Sequence, residues 1–363
     1  MLVVGVLLIA MCRLDVLGHD LPRLFWTGLS AAVALWLLAS MPLLRKAPLL
    51  GVPALVLLYL FPFNFSSFEA VGIPNESRLL HYFRSNNLVG AVVGIHVQGK
   101  TYFASYGGVE KYGDLPSSRT PYQIASVTKV FTGDVLSRQL DSSLIPLATH
   151  SAGLPDIAEV SGFALRFLSH PFDFYAHYGA ADLVRDLAPY QHELREGRGF
   201  AVGEWHYSNL GFCLLGRKLD MANRRFGNIG YVRPANVAAG YNGVAARTTL
   251  WSPGICHGAG GLHASAADLL DYIRLPSPAK TIHFDDGEHM MGLGWMFQDG
   301  IWYHAGATFG NTAFVAYEPS SDTALVILIS GVAREIESFG LEFVADLRRL
   351  ESAQRIIPPD AAR

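Results

Sequence analysis

The sequence is poor in charge and poor in cysteine. Only 16% of its 363 residues are Asp, Glu, Lys or Arg, and the formal net charge is -3. A chain that binds nucleic acid by neutralising phosphates needs a basic excess, and there is none. Three cysteines, Cys12, Cys213 and Cys256, are too few for a disulfide-built scaffold, and no C-x-x-C spacing marks a zinc ribbon or a redox pair. They leave open one bridge, between Cys213 and Cys256. Thirteen histidines include no H-E-x-x-H spacing, so a zinc hydrolase is not expected and neither a metal nor a cofactor is called for. Internal repeats and low-complexity stretches are missing as well. What the chain has in plenty is apolar residues, 50% of the total, with a mean hydropathy of +0.25 that places part of it in lipid.

That excess lies at one end. Residues 1–65 carry six charged side chains, and the remaining 298 carry the other 53, an ordinary soluble composition. Leu24–Leu44 and Ala47–Phe65 are uncharged for 21 and 19 residues, each long enough to cross ~30 Å of hydrocarbon. Met1–Cys12 is short for a span, so the expected number of transmembrane helices is two or three. A cleaved signal peptide would be followed by a cleavage site and not by two more apolar runs. Arg45 and Lys46, with no acid in their loop, set that loop in the cytoplasm. Everything after Phe65 then lies on the non-cytoplasmic side, periplasmic or extracellular. The expected organisation is a membrane segment over 1–66, a linker over 67–74, a folded domain over 75–352 and a tail over 353–363.

Within the folded domain the hydrophobic pattern alternates between helix and strand periods. Glu76–Asn86 reads as a helix, and Val89–Val97 with Thr101–Tyr106 as a hairpin turning at Gln98-Gly99-Lys100. Several helical stretches fill residues 126–273. Leu293–Gln298 and Ile301–His304 flank Asp299-Gly300, a tight-turn dipeptide, and Thr312–Tyr317 and Thr323–Ile329 follow as strands. Ile336, Phe339, Phe343, Val344, Leu347 and Leu350 share one face of a last helix. Strands at both ends with helices between them predict an α/β fold. One antiparallel sheet is built from the two chain ends, flanked by terminal helices, with a helical subdomain inserted.

Three triplets carry candidate chemistry. In Ser126-Val-Thr-Lys129 the serine opens a helical run, near the positive end of its dipole, and the lysine lies one turn on, on the same face. Such a cation eases ionisation of the hydroxyl. Ser277-Pro-Ala-Lys280 repeats the spacing, but in a proline-rich loop. In Tyr207-Ser-Asn209, before an apolar helical run, the phenol suits a general base and the asparagine can hold a substrate amide. Ser85-Asn86-Asn87 is a similar match without that context. In His304-Ala-Gly306, at the end of a strand, the glycine admits a substrate backbone close to an edge. The next amide, of Ala307, can pair with that of Ser126 to hold an oxyanion. His177-Tyr-Gly179 is the comparable decoy.

In order and placement these triplets resemble the serine β-lactamase and penicillin-binding-protein-like superfamily. Longer segments sharpen the likeness to its class C β-lactamase, esterase and D-peptidase branch. They are Pro121-Tyr-Gln-Ile-Ala-Ser126-Val-Thr-Lys129, Thr149-His-Ser-Ala-Gly-Leu-Pro155, Trp205-His-Tyr207-Ser-Asn209-Leu-Gly211 and Gly260-Gly-Leu-His-Ala-Ser-Ala-Ala-Asp268. The likeness runs over roughly residues 75–350. It implies a β-lactamase-like fold and a serine hydrolase, which the apolar runs of the N-terminal segment would anchor in a membrane. Ser126 would form an acyl-enzyme, with Lys129 and Tyr207 managing its proton, and the amides of Ser126 and Ala307 would hold the oxyanion. Asn209, His304 and Gly306 would line the substrate site. Implied substrates are β-lactams, esters or D-amino-acid peptides, small molecules or pieces of peptidoglycan. The alternatives are a non-hydrolysing penicillin-binding sensor and a pseudoenzyme that binds cell-wall fragments. Two differences accompany the likeness. His304 stands where β-lactamases usually have lysine, and the stretches after Leu140 and after Leu219 are short.

Overall fold

The structure, a computed structural model, describes residues 72–86, 88–139, 141–159, 174–190, 203–243 and 245–356. The apolar runs of the N-terminal segment fall outside them. Among the described residues no helix is long and apolar enough to cross a membrane.

The chain enters with helix α1 (Glu76–Ser85) and the hairpin β1 (Gly90–Val97) and β2 (Lys100–Gly107). A short strand β3 (Tyr122–Gln123) leads through a single 3-10 turn, Ala125–Val127, into α2 (Thr128–Gln139). The inserted helical part follows with α3 (Ile145–Ala148), α4 (Ala180–Leu187) and α5 (Asn209–Lys218). Next come the ribbon β4 (Gly240–Tyr241) and β5 (Arg247–Thr248), then β6 (His263–Ala264) and α6 (Ala266–Ile273). The last part comprises β7 (Phe284–Asp285), β8 (Met290–Met291), β9 (Met296–Gln298), β10 (Ile301–Ala307), β11 (Asn311–Glu318), β12 (Thr323–Ser330) and α7 (Ile336–Ile356).

Eight strands form one sheet in the order β2-β1-β12-β11-β10-β9-β8-β7, each pair antiparallel. The first strand of the domain therefore pairs with the last, Gly90 opposite Ser330 and His96 opposite Ala324. This is the expected sheet made from the two chain ends. Every residue of β12 is buried, because both faces of the sheet are covered. Leu325, Ile327 and Ile329 join Leu79 and Phe83 of α1 and Phe343, Val344 and Leu347 of α7. Val326 and Leu328 face the other way, into a core with Val130 and Phe131 of α2, Leu210 and Phe212 of α5 and Leu269 of α6. Each such aliphatic side chain, once buried, contributes about 1.5–3 kcal/mol. A strand buried on both faces reads as an unbroken apolar run, as Thr323–Ile329 does. Helices α1 and α7 are further joined by Arg78 with Glu342 and Asp346 and by the stacked rings of Tyr82 and Phe339.

Two expected boundaries move. Leu293–Trp295 is not strand but a tight turn between β8 and β9, closed by Gly292 N–H donating to the Trp295 carbonyl at 2.8 Å. Gly294 takes a positive φ there, and a Cβ on it would lie 2.1 Å from the Lys129 carbonyl. This turn thus buttresses α2, a tertiary role that alternating hydrophobicity does not report. Strand β10 also runs past His304 to Ala307, so all of His304-Ala-Gly306 lies inside the ladder with β11.

Candidate active site

Ser126 sits in the 3-10 turn that joins β3 to α2. The turn is fixed from both sides. Ile124 N–H donates to the Leu262 carbonyl at 3.1 Å, and Val130 and Phe131 of α2 are fully buried. Ser126 itself is half-buried, so its hydroxyl meets the cleft. Lys129, one turn on, is completely buried. Its Nζ lies 2.9 Å from Ser126 Oγ, 2.7 Å from Asn209 Oδ1 and 3.0 Å from the Ala259 carbonyl. The rings of Tyr207 and Phe212 flank it, with centroids 4.9 and 5.4 Å away. Burial lowers the amine to about 7, against a smaller upward pull from Asp156.

Those three contacts suit a neutral amine. The Asn209 and Ala259 oxygens can only accept, so they take its two hydrogens, and the lone pair is left facing the Ser126 hydroxyl. Tyr207 OH donates to the same Oγ at 2.9 Å. Burial raises the phenol well above its ordinary value, only partly offset by its hydrogen bond to Ser126, with Asp156 and Glu337 adding to the rise. At neutral pH it is a donor and not a phenolate.

The Tyr207 segment is held by the Thr149–Asp156 stretch. His150 accepts at Nδ1 from Ser208 N–H at 3.0 Å, which puts its proton on Nε2. Its carbonyl accepts from His206 N–H at 2.8 Å, and its ring lies 4.4 Å from that of Tyr207. Ser208 caps α5 by accepting from Gly211 N–H at 2.9 Å, and its hydroxyl donates to the Pro155 carbonyl at 2.7 Å. Asn209 N–H donates to Asp156 Oδ1 at 2.8 Å. Opening a helix at Asn209 with a serine cap fixes where the asparagine side chain starts, which is why Tyr207 and Asn209 arrive together.

On the opposite side, β10 lies against the Ser126 turn. A Cβ on Gly306 would stand 2.3 Å from the Ile124 carbonyl and 2.9 Å from Ser126 N, so only glycine permits this approach. Thr308 N–H donates to the Asn311 carbonyl at 2.9 Å. By the alternation of an antiparallel ladder, Gly306 then faces β11 and the Ala307 amide points away from it. His304 is buried, its Nδ1–H donating to the Ala305 carbonyl at 2.5 Å. Burial, helped by the charge of Lys129, lowers its ring to about 3, so it is neutral.

Of the seven residues singled out from sequence, Ser126, Lys129, Tyr207 and Asn209 are joined by hydrogen bonds, Gly306 lies against the Ser126 turn, and His304 and Ala307 flank it on β10. The decoys fall elsewhere. Lys280 Nζ donates to the Ile273 and Leu275 carbonyls, while Ser277 Oγ turns to the Asp134 carboxylate. Ser85 and Asn86 close α1 by donating to the Tyr82 carbonyl, and His177 ends a 3-10 turn. Sequence reasoning assigned no role to three groups that shape the site. His150 stood inside a recognised segment without a function attached. Asp156 and the Ala259 carbonyl carried no local signal, because their importance comes only from tertiary contact. The bridge left open is formed, Cys213 on α5 to Cys256, and it ties α5 to the segment that presents Ala259.

No protein-family model matches the sequence, and no characterised protein matches it by sequence. Solved structures described as β-lactamases and β-lactamase/D-alanine carboxypeptidases do share its fold. A β-lactamase from Sulfitobacter sp. EE-36 superposes with a TM-score of 0.59 at 18% identity, over 76% of this chain and 97% of that one. A β-lactamase/D-alanine carboxypeptidase from Yersinia pestis gives 0.58 at 15% identity, over 74% and 95%. One of the same description from Pseudomonas syringae gives 0.56 at 16%, over 74% and 96%.

Proposed function

We propose that this chain is a membrane-anchored serine hydrolase that forms an acyl-enzyme on Ser126. One observation carries the reading: Lys129 Nζ and Tyr207 OH both lie 2.9 Å from Ser126 Oγ. The neutral amine takes the serine proton as Oγ attacks an acyl carbonyl, a general-base role for Lys129 in place of the phenol. Tyr207 donates to the developing alkoxide and, with the newly formed Lys129 ammonium, returns a proton to the leaving group. The amides of Ser126 and Ala307 hold the tetrahedral oxyanion. Asn209 Nδ2 is left to bind the substrate amide or ester, Gly306 admits it beside β10, and water then releases the acyl group. No step needs a metal. Esters, β-lactams and D-amino-acid peptides all present such a carbonyl.

The location is proposed on two grounds. The uncharged runs Leu24–Leu44 and Ala47–Phe65 suit bilayer spans, and the Cys213–Cys256 bridge suits an oxidising compartment. Together they support a catalytic domain outside the cytoplasm.

The test is intact-mass spectrometry of the full chain in detergent after mixing with p-nitrophenyl acetate, beside Ser126→Ala. A Ser126-dependent acetyl adduct that decays while nitrophenol accumulates is the expected result. An adduct that persists would replace the hydrolase with the sensor reading, and no adduct with no turnover would leave the pseudoenzyme.

A further inference from the structure

Two aromatic rings stand beside the nucleophile without touching its proton, those of Trp251 and Tyr175. Their place follows from contacts of the main chain. Lys129 Nζ bridges Ser126 Oγ and the Ala259 carbonyl at 2.9 and 3.0 Å, so the chain after Ala259 runs past the nucleophile. A Cβ on the next residue, Gly260, would stand 2.7 Å from Cη2 and Cζ3 of Trp251 and 3.7 Å from the Ala125 carbonyl. The six-membered ring of Trp251 therefore lies on Gly260, close to the residue that precedes Ser126. Tyr175 meets it nearly edge-on, with centroids 4.8 Å apart and ring planes at 72°. Both residues are half-buried, so each keeps surface for a ligand.

The rings are half-buried but their anchors are not left to water. Gln123, three residues before Ser126, is buried. Its side chain accepts from Trp251 N–H at 2.9 Å and donates to the Trp251 carbonyl. This reciprocal pair fixes the Trp251 main chain to β3 whatever side chain stands at 251. Tyr175 is pressed against the same segment, since a Cβ on Gly254 would lie 1.9 Å from the Tyr175 carbonyl oxygen. The Cys213–Cys256 bridge then ties that segment to α5. Rings held this way lose little freedom when a ligand packs on them, which is how a preformed apolar wall gains affinity.

We propose that Trp251 and Tyr175 form a corner that binds an aromatic ring of the acyl donor beside the scissile carbonyl. The substrate class is then esters or amides with a planar aromatic group near that carbonyl, on its acyl or its leaving-group side. A ring entering the corner stacks on one residue and meets the other edge-on, as the two already meet each other. The inference rests on the hydrolase reading above, since it names the substrate class of that site.

Two matched pairs of esters test it on the full chain in detergent. Ethyl phenylacetate and ethyl cyclohexylacetate carry an aromatic or a saturated ring on the acyl side. Benzyl propionate and cyclohexylmethyl propionate carry the same rings on the leaving-group side. The wild type is expected to favour the aromatic member of one pair by about threefold to tenfold in kcat/KM, and the pair that responds assigns the side. Trp251→Leu, which keeps an apolar side chain, is expected to bring that ratio close to one, and Tyr175→Leu to lower it. Each ratio is read within one variant, so a general loss of activity cancels. Ser126-dependent hydrolysis with no aromatic preference in either pair, or with a preference that both variants retain, would overturn the corner and leave the hydrolase standing. No Ser126-dependent hydrolysis of any of these esters would overturn the substrate class, and a Ser126 that a fluorophosphonate also fails to label would overturn the hydrolase reading with it.

Discussion

Lys129 Nζ lies 2.7 Å from Asn209 Oδ1, so a side chain from the first residue of α5 orients an amine on α2. The contact leaves the lysine without a carboxylate partner, and that is why burial can bring it to about 7. The neutral form is the proposed base, and it prevails above that value. Turnover is expected to climb with pH through about 7 and then level off. His304, at about 3, stays neutral across the range and adds no second step. Asn209→Asp would set an anion against the amine, hold it as ammonium and move the rise to higher pH by about one unit or more. A pH–rate profile of both proteins checks this. A rise that does not move in the variant would argue against Lys129 as the base.

Tyr207→Phe removes the donor to Ser126 Oγ without removing the ring packed on His150. The expected loss is about 10²–10³ in kcat, with Tm nearly unchanged. Because the phenol stays protonated at neutral pH, the midpoint of the pH–rate profile should stay put. Stopped-flow acylation with an activated ester separates this from a defect in deacylation.

Gly306→Ala places a methyl 2.3 Å from the Ile124 carbonyl. Overpacking of this kind typically costs about 1–3 kcal/mol. Displacing the Ser126 turn by about 1 Å is expected to cost about 10²-fold in turnover. Thermal unfolding and steady-state rates, measured on the same sample, should fall together.

Reduction of Cys213–Cys256, which are separated by 43 residues, should destabilise the domain by about 4 kcal/mol on the chain-entropy account. Turnover should fall with it, since the bridge steadies the segment that gives Lys129 its Ala259 partner. Denaturant unfolding with and without a reductant measures the first effect, and a rate assay below the transition measures the second.

Much of this arrangement was legible before any coordinates. The unbroken apolar run of β12 and the alternating hairpin β1–β2 announced a sheet from both chain ends. Ser126 and Lys129 could be paired because three residues make one helical turn. Tyr207 and Asn209 were found by their place before a helix. What escaped was of two kinds. Strand β9 was drawn too long because Leu293 and Trp295 are buried for the sake of α2 and not for a ladder. Asp156, Ala259 and Glu337 act only through space, on groups between 27 and 130 residues away, and no local pattern encodes that. The neutrality of His304 lay between the two: its identity was visible, its burial was not.

Strand order has a consequence for when the protein first becomes competent. Gly306 is 180 residues downstream of Ser126, and β10 reaches β1 only through β11 and β12. A chain emerging from the ribosome therefore displays Ser126 long before β10, the strand proposed to help hold an oxyanion, has been made. Long-range pairing of this kind is closed late in folding. On the proposed function, nascent and prematurely terminated products should be chemically inert until β12 has been threaded between β1 and β11.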